Sequence, residues 1–214
     1  MINALKPFFR DLKYVFHVMV HPFDGFWDMK HEKKGSAAVS TFIFAIYLIV
    51  SILSKQFSGY TFNGYAVFPE NINLVTELLQ LVLIVGMWTV SNWALTTLFD
   101  GEGSMRDVYI YSGYAMMPLV LSMLVLIPLT NILTVDEASI VSLINFVGVF
   151  WTAILFYTGT MTTHQYAALK TFVIIIAIGL GMAVIAFLAL MFFFLLQQLF
   201  NFVYSIYREL ELRK

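Results

Sequence analysis

Cysteine is absent from all 214 residues, which excludes disulfides, thiolate nucleophiles and zinc-thiolate sites. Charge is nearly as scarce. Asp, Glu, Lys and Arg make up 12% of the chain and leave a net charge of -1. The basic residues are too dispersed to form a phosphate-tracking stripe, so nucleic acid is not an expected partner. The scarcity becomes absolute inside five apolar runs: Ser36–Ser54, Leu78–Phe99, Val108–Leu133, Ile140–Met161 and Thr171–Leu196 contain no Asp, Glu, Lys, Arg or His. Proton relays, coupling-ion sites and most hydrolytic sites in a membrane need ionisable groups at depth. The chain therefore reads as a non-enzyme with no cofactor and no metal site. No polar stretch exceeds about forty residues, which leaves no room for a separate soluble domain. The first 35 residues hold six Lys or Arg and no uninterrupted apolar core. They are not a cleavable signal peptide, and the first span does the targeting.

What is present is hydrocarbon. Sixty per cent of the residues are apolar, and each of the five runs has the roughly 20 residues needed to cross about 30 Å of bilayer core. Backbone polar groups left unpaired in lipid force such runs to be helices. The expected fold is all-α: a polytopic membrane protein with a five-helix bundle, an N-terminal amphipathic interfacial helix and a small extracytoplasmic β-hairpin. The expected division is a cytoplasmic N-terminal segment over 1–35, the transmembrane domain over 36–207 and a polar tail over 208–214. Pro118 and Pro128 fall in the third run, which should bend or break near Pro118. The fifth run continues uncharged to Tyr207, either protruding from the bilayer or running along its surface.

Residues Pro7 to Val20 suit an amphipathic helix: Phe9, Leu12, Phe16, Met19 and Val20 recur at three- and four-residue spacing, with Arg10, Lys13 and His17 on an adjacent face. Such a helix either lies in the headgroup layer or packs on the bundle. Pro22 and Gly25 then break it, and Trp27, Lys33 and Lys34 precede the first span. Arg10, Lys13, Trp27, Lys33 and Lys34 are the lipid-interface candidates. With the N-terminus in the cytoplasm, eight Lys or Arg fall inside and four outside, although Arg208, Arg213 and Lys214 of the tail oppose that placement. In the first outer loop, Asn63-Gly64 lies between short aromatic runs, the signature of a tight hairpin from about Tyr60 to Phe68. Tyr60, Phe62, Asn63, Gly64 and Tyr65 are the partner-contact candidates there.

Polar residues in the spans are few. Asn92, in the inner half of the second run, and Asn145, near the outer end of the fourth, are expected to be interhelical hydrogen-bond glue. In the fifth run, Ala177 with Gly181 and Gly179 with Ala183 form small-xxx-small pairs. Gly179 and Gly181 are thus contact candidates within the chain or between chains. Gly101-x-Gly103 lacks a preceding strand and reads as a flexible turn. His17 and His21 have helical metal spacing, but Pro22 ends that helix and only His31 could add a ligand. His164, in TTHQYAALK, reads as a solvated loop residue.

The stretch NWALTTLFDGEGSMRDVYIYSGYAMMP, Asn92 to Pro118, joins two apolar runs through a short acidic turn and carries Gly113, Tyr114 and Pro118 as GYxxxP. It resembles the YIP1 domain family of small multi-span membrane proteins, and the lead-in Pro-Phe-x-x-Phe-Trp from Pro22 to Trp27 is similar to that of its bacterial members. The Asp-Leu-Tyr-Gly-Pro motif of the eukaryotic branch is missing, so that branch's vesicle-traffic roles do not carry over. The resemblance implies a non-catalytic protein of the bacterial cytoplasmic membrane that acts through association. Its implied partners, beyond the lipid bilayer, are other membrane proteins, among them ABC-type export subunits, and a homo-oligomer is open. The leading functional expectation is an accessory or assembly subunit of a membrane transport complex. The alternative is a lipid-translocating or small-molecule pathway along Asn92, Tyr114 and Pro118.

Overall fold

A computed structural model describes residues 2–59, 62 and 72–212. They form eight α-helices: α1 (Ile2–Val20), α2 (Pro22–His31), α3 (Ala37–Phe57), α4 (Leu74–Leu98), α5 (Met105–Ala115), α6 (Met117–Ile132), α7 (Ala138–His164) and α8 (Ala168–Leu212), with a 3₁₀ turn over Val135–Glu137 before α7. Five spans are long and apolar enough to cross a membrane, with α5 and α6 together making the third. The break between them falls at Met116, where the N–H turns back to the Gly113 carbonyl and Pro118 enters the first turn of α6. A proline N–H is not needed in a first turn, which is why the chain resumes as helix at once.

Among the described residues there is no strand, and the expected β-hairpin is not part of the observed fold. Nearly all of it, including Tyr60, Asn63, Gly64 and Tyr65, lies outside the described residues. Phe62 is in a turn, its N–H donating to the Gly59 carbonyl at 2.9 Å. Asn-Gly between aromatic runs is a local signal only, and a lone hairpin needs a surface to rest on.

Of the two placements open for the N-terminal helix, packing on the bundle is the one seen here. α1 and α2 form an antiparallel pair standing against the bundle. At its tip the Met19 carbonyl accepts the indole N–H of Trp151, midway along α7, at 3.0 Å. At its base Lys30 Nζ donates to the carbonyl of Thr163, in the last turn of α7, at 2.7 Å. The pair therefore runs alongside half the length of α7. α1 turns Val15 and Val18 inward, fully buried, while Phe16 and Val20 of the expected apolar face stay 54% and 69% exposed. Leu12 and Met19 of the expected face do pack against the core beside them, so the buried stripe is the expected one rotated toward Val15 and Val18.

Candidate functional site

The GYxxxP residues sit where these elements meet, and each has a separate mechanical task. Gly113 lets α3 and α5 touch backbone to backbone: a Cβ there would come within 2.6 Å of the Ser40 Cα. Ser40 answers by donating its hydroxyl to the Ile110 carbonyl at 2.8 Å. Tyr114 is fully buried. Its hydroxyl accepts the Ser36 N–H at 3.3 Å and donates to the Asp11 carbonyl at 3.4 Å, which ties the start of α3 and the middle of α1 to one side chain. Pro118, also buried, opens α6.

Beside this tether runs a closed chain of buried polar groups. The Gly103 N–H donates to His164 Nδ1 at 3.2 Å, so the ring carries its proton on Nε2, which donates to Asn92 Oδ1 at 3.1 Å. Asn92 Nδ2 donates to the Tyr111 hydroxyl at 2.8 Å. That hydroxyl donates to Thr160 Oγ1 at 2.9 Å, because Thr160 spends its own proton on the Phe156 carbonyl at 2.8 Å. Asn92, Tyr111, Thr160 and His164 are each at most 1% exposed. The chain links α4, α5 and α7 with the loop between α4 and α5, and each polar side-chain atom in it has a hydrogen-bond partner. A satisfied network of this kind fixes one arrangement of helices, since any shift would leave a polar group bare in a low-dielectric interior.

Two readings are corrected here. His164 is not a solvated loop residue but the buried end of α7, with Gly101 and Gly103 pressed against its ring. A Cβ at either glycine would lie 2.8 Å from His164 Nδ1, so Gly101-x-Gly103 is a packed turn, not a slack one. Tyr166 closes the same end, its hydroxyl 3.0 Å from the Thr96 carbonyl and 3.1 Å from that of Phe99. Lys170 Nζ donates to the Phe99 carbonyl at 2.8 Å and lies over the Tyr166 ring. A cation at a helix C-terminus satisfies orphan carbonyls and complements the dipole. Lys30 does the same for α7 and also pairs with Glu102 at 3.1 Å.

The remaining candidates separate. Lys34 bonds Asp28 and Glu32, both at 2.7 Å, and the Asp28 carboxyl is held below its ordinary range chiefly by that ammonium. Arg10, Lys33 and Lys34 line one polar hollow with Asp11, Tyr14 and Glu32. Lys13 is exposed, and Trp27, 47% exposed, stacks on His31. Asn145 is exposed on α7 and, unlike Asn92, joins no interhelical bond among the described residues. Gly181 abuts Ser91 of α4, whereas a Cβ at Gly179 would meet nothing within 4 Å. The two small-residue pairs thus point different ways, one into the chain and one out of it.

α4 stands between two apolar crevices. One, about 470 Å³, is lined by Ile84, Trp88, Phe156, Phe172 and Ile175 among others. The other, about 440 Å³, is lined by Phe44, Leu48, Leu81, Val82 and Tyr109 among others. On the wall of the first, Trp88 donates its indole N–H to Ser112 Oγ at 2.9 Å.

The Yip1 domain family model matches residues 16–191, from near the end of α1 to a point about halfway along α8. The chain belongs to the Yip1 domain family. Comparisons with curated proteins and with solved structures gave no match. As a Yip1 domain, the molecule is a multi-pass integral membrane protein. The matched span contains Gly113, Tyr114 and Pro118, and also the whole Asn92–Tyr111–Thr160–His164 chain. Of the latter, only Asn92 stood out in the sequence. The Thr-rich end of α7, TGTMTTH, was the available signal for the rest, because hydroxyls clustered at a helix end need acceptors.

Proposed function

We propose that this Yip1 domain is a non-catalytic subunit that binds or assembles a membrane transport complex, held in the bacterial cytoplasmic membrane with its N-terminus inside. One observation carries the reading. Apart from the Thr152 hydroxyl, the polar interior among the described residues is spent on internal hydrogen bonds, whereas the apolar surfaces of α4 and α8 are left unpacked. Leu78, Leu79, Val82, Leu83 and Ile84 of α4 are 48–59% exposed, and Gly179 presents a surface on which another helix could approach closely. An ABC-type exporter is the partner class implied by the family resemblance. Mild-detergent purification from native membranes should recover a stoichiometric second membrane protein. Repeated recovery of the chain alone would refute the proposal.

A lipid or small-molecule pathway is the second reading, and the two crevices beside α4 favour it. Its original route finds no support, since Asn92, Tyr114 and Pro118 are buried and already engaged in packing or hydrogen bonds. Purified protein in vesicles should then speed exchange of labelled lipid between leaflets. Equal exchange in empty vesicles would remove this reading.

A further inference from the structure

The last turns of α8 leave the bundle without a partner in the chain. α8 runs antiparallel to α4, with the Ser91 hydroxyl on the Ile178 carbonyl at 2.9 Å and Gly181 against Ser91. Counting back along α4 to Leu74 brings α8 to Gln197 at the far end of the bundle. At 1.5 Å per residue the remainder, to Leu212, extends about 22 Å further.

That extension is two-sided. Taking 3.6 residues per turn, Gln197, Gln198, Asn201, Ser205, Arg208 and Glu209 share a polar arc of about 120°. Leu199, Phe200, Phe202, Val203, Tyr204, Ile206 and Tyr207 fill an apolar arc of about 200°, each 43–69% exposed. A seam for one partner helix is narrow, with two positions in seven. An arc this wide and this aromatic fits the boundary between headgroups and acyl chains, with the polar stripe toward water. Arg208 against Glu209 and Glu211 leaves residues 198–212 without net positive charge, so the fit does not depend on anionic lipid. The apolar arc also continues the exposed surface of Phe187 to Leu195 just before it.

We propose that in a bilayer α8, one unbroken helix from Ala168 to Leu212 in this structure, bends at Gln197–Gln198, so that residues 198–212 lie along the membrane surface as an in-plane anchor, on the face opposite the α2 lysines. Carbonyls freed by such a bend would fall at the wet boundary, where water satisfies them.

The absence of native cysteine allows single-cysteine variants of the full chain without background. Leu199→Cys, Phe202→Cys, Val203→Cys and Ile206→Cys would be compared with Gln198→Cys, Asn201→Cys and Ser205→Cys. Each carries an environment-sensitive fluorophore and is reconstituted in phosphatidylcholine vesicles containing a headgroup-proximal lipid quencher. Quenching should follow the helical period, about twofold or more stronger at the first four positions than at the last three, and should be unchanged by salt. Uniform water exposure along the segment would overturn the proposal in favour of a free projecting arm. Protection from quencher at the first four positions, with cross-links to a second copy or another protein, would overturn it in favour of a protein-docking helix.

Discussion

α5 and α4 are neighbours, consecutive in sequence and both parts of membrane-crossing spans, yet they are held in opposite ways. From Val108 to Ala115 every residue of α5 except Tyr109 is buried. From Leu78 to Ile84 α4 is largely exposed, with crevices on either side. Hydropathy does not explain the contrast, because α4 is the more apolar of the two. Between helices in lipid there is little hydrophobic driving force; close approach and hydrogen bonds decide. α5 offers Ser112, Gly113 and Ala115 for approach and Tyr111 and Tyr114 for bonding. The first half of α4 offers large aliphatics, and its attachments are concentrated farther along, at Trp88, Ser91, Asn92 and Thr96. The same holds for α8, packed by Ile174, Ile178 and Gly181 and bare afterwards. A tight unit is thus joined to a pair of helices gripped mainly in one half.

Gly113→Leu should have the largest effect. Its added carbons meet the Ser40 backbone, which cannot move aside, and overpacking of this kind costs about 1–3 kcal/mol or more. The matching change on α4, Gly86→Leu, meets open space and should stay within about 0.5 kcal/mol. Thermal unfolding in detergent measures both, and equal losses would erase the distinction between the two regions.

Next comes the pair of asparagines. Asn92→Leu strands the His164 N–H and removes the donor to the Tyr111 oxygen, which keeps its bond to Thr160, at a cost of about 1–3 kcal/mol. Asn145→Leu, on an exposed face, should be nearly silent. Smaller still is Tyr114→Phe, which removes the tether to Ser36 and Asp11 at about 1 kcal/mol. Its distinctive readout is hydrogen exchange: α1 and α2 should open faster, with α4 and α8 unchanged.

Acid should give the mildest effect. The Asp28 carboxyl is held below its model-peptide value of 3.8 by Lys34. The contribution is therefore present above that value and lost as pH falls through the lower folded one. The melting temperature should drop on acidification below about pH 4, and Asp28→Asn should remove that part of the drop while leaving the α4–α8 contacts as they were.

The spans were readable because lipid imposes length and composition on them, and the Pro118 break because a proline ring removes a specific hydrogen bond. Asn92 as glue followed from the cost of a bare amide in lipid. The partners of Asn92 did not follow. His164 lies 72 residues away and is flanked by Thr, Gln and Tyr, so its neighbourhood in sequence is polar while its neighbourhood in space is closed. α1 misled for a related reason: both of its faces carry apolar residues at helical spacing, and the choice between Phe16 and Val18 belongs to the groove that receives them. The small-residue pairs of α8 showed a preference for close contact but not which pair would meet α4.

The central claim is that the loosely held α4–α8 pair is where another membrane protein binds. Photo-cross-linking amino acids at Val82 and Phe187, with Ile43 as the buried control, test it in native membranes. The account predicts one protein adduct of the same size from Val82 and Phe187 and none from Ile43. Adducts to lipid alone from both exposed positions would contradict it.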